Sequence, residues 1–142
     1  MRGLAAVIDY RLAGRLSAFA RSGEITGVVN EAFLFPPRPR LSAEKLVVFG
    51  WGKGDEFDEA AADRAVNRMV RTIVGLGAKR VVMELPGRAR GLCDADRAAT
   101  LLFRAAESEN ADLAFWLVED DEGKRRFFAR IEEEKKRARR VM

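Results

Sequence analysis

Four short, mostly apolar runs, at residues 4–8, 46–49, 80–85 and 113–118, are each closed by a glycine, a proline or an acidic residue. Most are followed by a longer stretch in which apolar residues recur every three or four positions. Runs this short suit buried strands, and the longer period suits helices packed against them. After Leu46-Val-Val-Phe49 the chain turns at Gly50-Trp51-Gly52-Lys53-Gly54. It then shows a helical pattern over 58–74, with Ala62, Val66, Met69, Val70, Ile73 and Val74 on one face and Gly75 and Gly77 at its end. After the run at 80–85, Pro86-Gly87 leads toward a second helix over 94–107, whose inward face is Ala95, Ala98, Ala99, Leu102, Phe103 and Ala106. The run at 113–118 places Trp116 in the core. Asp120 or Asp121 can cap a last helix that buries Phe127, Phe128 and Ile131. Near the N-terminus, Leu4-Ala-Ala-Val-Ile8 reads as a strand. Leu12, Leu16, Phe19 and Ala20 read as a short helix stopped near Ser22-Gly23. Residues 25–35 look extended, up to the break at Pro36-Pro37-Arg38-Pro39, and no helix separates them from the next strand. They predict an antiparallel or hairpin element. The whole is expected to be α/β: one domain over 1–142, a three-layer α/β/α arrangement with a mixed, largely parallel sheet and a charged helical tail at about 132–142.

Composition narrows the chemistry. The chain has 142 residues, enough for one core, and no histidine. That removes the commonest general base and transition-metal ligand, and every Ser-His or Cys-His pair. One cysteine, Cys93, allows no internal disulfide. No apolar run reaches the roughly 18 residues of a membrane span, and the N-terminus lacks the apolar stretch of a secretory leader. The expectation is a cytoplasmic chain with no membrane partner. The net charge of +4 permits attraction to nucleic acid or an acidic protein and proves neither.

Two loops are candidates for holding a ligand. Gly50, Trp51, Gly52, Lys53 and Gly54 leave one strand, where backbone N–H groups can hold phosphate. The same glycines equally serve a tight turn, and Asp55 and Glu56 oppose an anion there. Gly87, Arg88 and Arg90 leave the next strand, and their guanidinium groups suit a carboxylate or phosphate, although basic surface loops are common. In a parallel sheet both loops would share one edge. Cys93 stands near a helix start but has no base beside it, which favours a small buried residue. Lys135-Lys-Arg-Ala-Arg-Arg140 can touch nucleic acid, or simply form a solvated helix end in which Glu132 pairs with Lys136 and Glu133 with Arg137.

The order of these pieces carries a resemblance. Ser22-Gly-Glu-Ile-Thr-Gly27, Asn30-Glu-Ala-Phe-Leu34, Lys45-Leu-Val-Val-Phe-Gly-Trp-Gly52 and Val81-Val-Met-Glu-Leu-Pro86 follow one another as in the N-terminal domain of the leucyl (cytosol) aminopeptidases. The resemblance implies a macro-domain-like fold. It also implies that the peptidase chemistry, two metal ions held by carboxylates and a lysine, belongs to a separate C-terminal domain. The acid-rich signature of that domain is absent from this sequence. No catalytic or metal residue is carried over, and no cofactor is expected. Macro domains that bind ADP-ribose use a glycine-rich loop where this chain has only Gly14 within Arg11–Leu16, so that site is not carried over either. The expected function is a non-catalytic module that self-associates or docks on a protein partner. Nucleotide or anion binding and DNA binding are the alternatives.

Overall fold

The computed structural model describes residues 1–141, and these fall into two compact units, Met1–Ala61 and Ala62–Met142. Both mix helix and strand, so the α/β class holds. The strands form two two-stranded sheets, one antiparallel and one parallel.

In the first unit, residues 4–8 belong to a helix, α1 (Gly3–Arg11), and not to the expected strand. A short apolar run is ambiguous between the two forms, and here Leu4, Ala5 and Ala6 are strong helix formers. The chain breaks at Ala13 and Gly14, both left-handed, and resumes as α2 (Arg15–Ser22). The break is tied across: the Asp9 carboxylate accepts from the Ser17 backbone N–H at 3.0 Å and from the Ser17 hydroxyl. These hydrogen bonds, the hydroxyl's first, hold the Asp9 pKa below the ordinary carboxylate value. Gly23 ends α2, as expected. β1 (Ala32–Phe35) and β2 (Leu46–Phe49) pair antiparallel, Ala32 opposite Phe49 and Phe35 opposite Leu46, which is the anticipated hairpin element. Leu12, Leu16, Ile25 and Phe35 form the buried cluster, with Ile8, Phe19, Phe33, Leu41, Leu46 and Val48 packed against it. Phe19 meets Phe33 and Phe35 at ring distances of 5.3 and 5.6 Å.

The second unit takes most of α3 (Glu59–Gly75), followed by β3 (Arg80–Met83), α4 (Ala95–Ser108), β4 (Ala114–Leu117) and α5 (Asp121–Val141). Asp58 caps α3 through the Ala61 N–H at 2.7 Å. The α3 face is the expected one except at its edge, where Ala65 is buried and Val74 only half-buried. The α4 stripe is turned slightly from the expectation: Leu101 and Ala105 are buried, whereas Phe103 and Ala106 are half-buried. Several faces of an alanine-rich helix look alike in sequence. Asp94 caps α4 and Asp120 caps α5, with N–H···O distances of 2.8 and 2.7 Å. On α5 Phe127 is buried but Phe128 is exposed, because adjacent helical positions point about 100° apart. The charged tail remains helical to Val141, and Met142 lies outside the described residues. Arg130 pairs with Glu133 and Glu134, and Lys135 with Glu132, in place of the expected Glu132–Lys136 and Glu133–Arg137 pairs.

β3 and β4 run parallel, with Val82 opposite Trp116 and Met83 opposite Leu117. Trp116 is not core, as was expected, but 52% exposed. The two-residue period places it on the side opposite Phe115 and Leu117.

Candidate functional site

Each glycine loop is built by its own unit. At the end of β2, Gly50 is buried, and a Cβ there would overlap the Val28 carbonyl oxygen. Its N–H donates to the Glu31 carbonyl at 2.9 Å, and the Gly52 N–H donates to the Gly27 carbonyl at 2.9 Å. Gly52 stands at φ +76, a region glycine enters without steric cost. Two strands of chain therefore pass in close backbone contact, which accounts for both glycines without a ligand. Trp51 stacks on Phe49 with ring centroids 5.5 Å apart. Gly54 opens a single 3₁₀ turn that also carries Asp55 and Glu56, and Lys53 before it is exposed.

The Glu31 carboxylate organises the neighbouring segment. It accepts from the Thr26 N–H at 3.0 Å, the Thr26 hydroxyl at 3.1 Å and the Gly27 N–H at 2.6 Å. Donation from the Thr26 and Gly27 backbone holds the Glu31 pKa below the ordinary carboxylate value. Backbone donors that would suit an anion are thus engaged by a carboxylate of the chain itself.

At the end of β3, Leu85 and Pro86 are buried and Arg88–Arg90 form another 3₁₀ turn. Arg88 is fully engaged in a bidentate pair. Its Nε donates to Glu119 Oε1 at 2.8 Å and its Nη2 to Oε2 at 2.9 Å, while Nη1 donates to the Cys93 carbonyl at 2.8 Å. The side chains are 14% and 5% exposed, so the pair is largely withdrawn from water. Hydrogen bonding to Glu119 raises the Arg88 pKa, keeping the guanidinium charged. Glu119 follows β4, so the pair joins the ends of two neighbouring parallel strands. Sequence reasoning singled out Arg88 and missed Glu119. The only local signal was an acid directly after an apolar strand. Arg90 is exposed and makes no ion pair among the described residues. Cys93 is buried, and its thiol donates to the Asp94 carbonyl at 3.6 Å.

β2 and β3 lie in different sheets, so the expectation that the two loops share one edge of a parallel sheet has no counterpart in the strand pairing. The exposed cations are Lys53 in one loop and Arg90 in the other. Among the described residues no group of three or more Cys, Asp or Glu side chains is gathered as metal ligands would be.

The family model for the N-terminal domain of the cytosol aminopeptidase family matches residues 1–112. The chain belongs to this family. Its relatives include probable cytosol aminopeptidases of Hamiltonella defensa (32% identical over 73 residues, 51% of this chain and 15% of that protein) and Pseudomonas fluorescens strain Pf0-1 (30% over 78 residues, 55% and 16%). Another, from Stutzerimonas stutzeri, is 34% identical over 70 residues, 49% of this chain and 14% of that protein. The match thus spans about a sixth of the length of these relatives. No solved structure matches. β4, Glu119 and α5 follow the matched segment, which stops at Asp112. No helix among the described residues is long and apolar enough to cross a membrane.

Proposed function

We propose that this chain is a cytoplasmic, non-catalytic protein-interaction or assembly module. One observation carries the reading: Val82 and Trp116 are paired across β3 and β4, and both are exposed, with Val118 two residues further along the same side. Parallel strands are ordinarily covered on both faces, and an exposed tryptophan flanked by valines is the composition of an interface centre. The relatives, probable cytosol aminopeptidases, support the compartment. The test combines light scattering of the purified chain with affinity capture, using the chain and its Trp116→Ala variant as baits. Self-association or a captured protein that is lost with Trp116→Ala supports the reading. A strict monomer with identical captures for both baits overturns it.

A second reading, binding of nucleic acid, rests on the end of α5. Lys136, Arg137, Arg139 and Arg140 are exposed and make no ion pair among the described residues. Retention on duplex DNA that weakens steeply with salt would support it, and no retention at low salt would remove it.

A further inference from the structure

The outward side of α3 carries a row of arginines whose charges are not balanced along the helix. Arg64, Arg68 and Arg71 stand at i, i+4 and i+7, within about 60° of one another around the axis at about 100° per residue. They lie opposite the buried Ala62, Val66, Met69 and Ile73. The positions three and four residues from Arg64 and Arg68 are Ala60, Ala61, Ala65, Asn67, Thr72 and the arginines themselves, so neither has an acid within reach along the helix. On α5 the opposite holds: Lys124 pairs with Asp121, Arg126 with Glu122, Arg130 with Glu133 and Glu134, and Lys135 with Glu132. Among the described residues Arg64 and Arg68 form no ion pair. Arg71 forms one, with Glu109 at 3.0 Å, through a side chain that stays 75% exposed. Like charges one turn apart weaken a helix, so the row costs stability where the pairs of α5 add to it.

We propose that this row receives an acidic helix of another protein, whose carboxylates meet Arg64 and Arg68 and share Arg71 with Glu109. The surface is separate from the exposed side of β3 and β4, and the idea does not depend on that reading. Along the axis the arginines are spaced by about 6 Å and then about 4.5 Å, intervals that acids at i, i+4 and i+7 of a parallel helix repeat. An arginine fork suits a carboxylate, and Arg88 grips Glu119 in this way within the chain itself. Arg68 is half-buried, with its Nε withdrawn from water and without a hydrogen bond, so its stem is already held against the protein. A side chain held in advance loses less freedom when its partner arrives. The net charge of +4 favours the approach of an acidic partner. Two other occupants fit less well. A second copy of α3 would set arginine on arginine whether the helices ran parallel or antiparallel. Nucleic acid would bring a broad field of phosphates onto Asp63, which adjoins Arg64, and onto Glu109 beside Arg71, whereas a single file of carboxylates avoids both.

The test uses the full chain and a labelled synthetic helical peptide with glutamates at i, i+4 and i+7 on an alanine and glutamine background. An isomer scatters the same glutamates around the helix. By fluorescence anisotropy at low salt the chain is expected to bind the one-sided peptide roughly tenfold more tightly than the isomer, as a few exposed ion pairs formed together allow. The double variant Arg64→Glu with Arg68→Glu is expected to lose that preference, and to bind a one-sided lysine peptide that the wild type does not. Circular dichroism checks that it is folded, and Arg64→Glu alone, at an exposed position, takes its place should it not fold. Arg64→Ala is expected to leave the melting temperature unchanged or raise it, because alanine is the stronger helix former and a like-charge contact goes. Equal binding of the two isomers overturns the proposal, as does no binding of either or a preference that survives in the charge variant. A melting temperature lowered by Arg64→Ala assigns the row to the fold and overturns it as well. A DNA duplex held by Arg64 and Arg68 more tightly than the one-sided peptide puts phosphates in place of the acidic helix and overturns it too. None of these results bears on the capture test at Trp116, which stands or fails separately.

Discussion

The two glycine loops answer similar sequence patterns in different ways. The loop after β2 is held by neutral backbone donors, Gly50 to the Glu31 carbonyl and Gly52 to the Gly27 carbonyl, where the glycines permit close passage, and the Glu31 carboxylate gathers the N–H groups of Thr26 and Gly27 beside it. The loop after β3 is held by a charge pair, Arg88 with Glu119, largely withdrawn from water. In both, a carboxylate of the chain stands where an incoming anion would have to compete. The first arrangement rests on uncharged backbone donors. The second links positions 31 residues apart and depends on both partners at once. Similar glycine-rich, basic sequences therefore do not imply similar sites.

The sharpest way to break this comparison is Arg88→Ala. It strands a 5% exposed carboxylate without its cation, and the expected loss is about 3–5 kcal/mol in chemical denaturation. Replacing both partners, Arg88→Met with Glu119→Leu, should recover most of that loss, because no buried charge is then left unpaired. A cost below about 1 kcal/mol for Arg88→Ala, the value of an exposed pair, would place both loops in the same class. Gly50→Ala is the matching test on the other loop. A methyl group forced against the Val28 carbonyl is expected to cost about 1–3 kcal/mol as an overpacking effect.

Glu31→Gln probes the neutral donors through pH. A carboxylate whose folded pKa lies below its unfolded value of about 4.3 contributes stability that is complete above that value and is lost as pH falls through the depressed one. Thermal melts of the wild type should therefore weaken with acid below about pH 4.3. Glu31→Gln should show a shallower fall over the same range and a lower melting temperature at neutral pH. The fall will not vanish, because Asp9 is depressed in the same direction by Ser17. Identical acid profiles would sink the assignment of Glu31 as the organiser of the Thr26–Gly27 segment.

Much of this architecture could be read in the chain. Leu46–Phe49 is a strand because an apolar run ends at glycines that permit the turn, and α3 and α4 follow from their apolar period with Asp58 and Asp94 as caps. Residues 4–8 misled because an apolar run without alternation fits either helix or strand. Trp116 and Phe128 misled for another reason. A period shows which residues share a side, but not which side is covered, and both large side chains face out. Of the candidate site, the glycine turns were legible as turns. The commitment of Arg88 was not, since nothing near Arg88 in sequence announces Glu119. Glu31 was equally silent: its role appears only once the Thr26–Gly27 backbone curls over it.

The smallest expected stability effects lie at the cations the two loops leave free. Lys53 and Arg90 are exposed, and neither makes an ion pair among the described residues. Substituting either with alanine should change stability by no more than about 0.5 kcal/mol, as expected for a surface position away from caps and networks. The informative measurement is binding. Inorganic phosphate or a nucleotide held at either loop should raise the melting temperature of the wild type by mass action, and the matching alanine variant should lose that rise. If Arg90→Ala abolishes it and Lys53→Ala does not, the loop with the buried charge pair is the binding loop, with Arg88 acting as its support. If both variants keep the rise, the anion lies elsewhere and the glycines are turns alone. No rise in the wild type would assign both loops to architecture and leave the open side of β3 and β4 and the arginine row of α3 as the parts of the chain that meet other molecules.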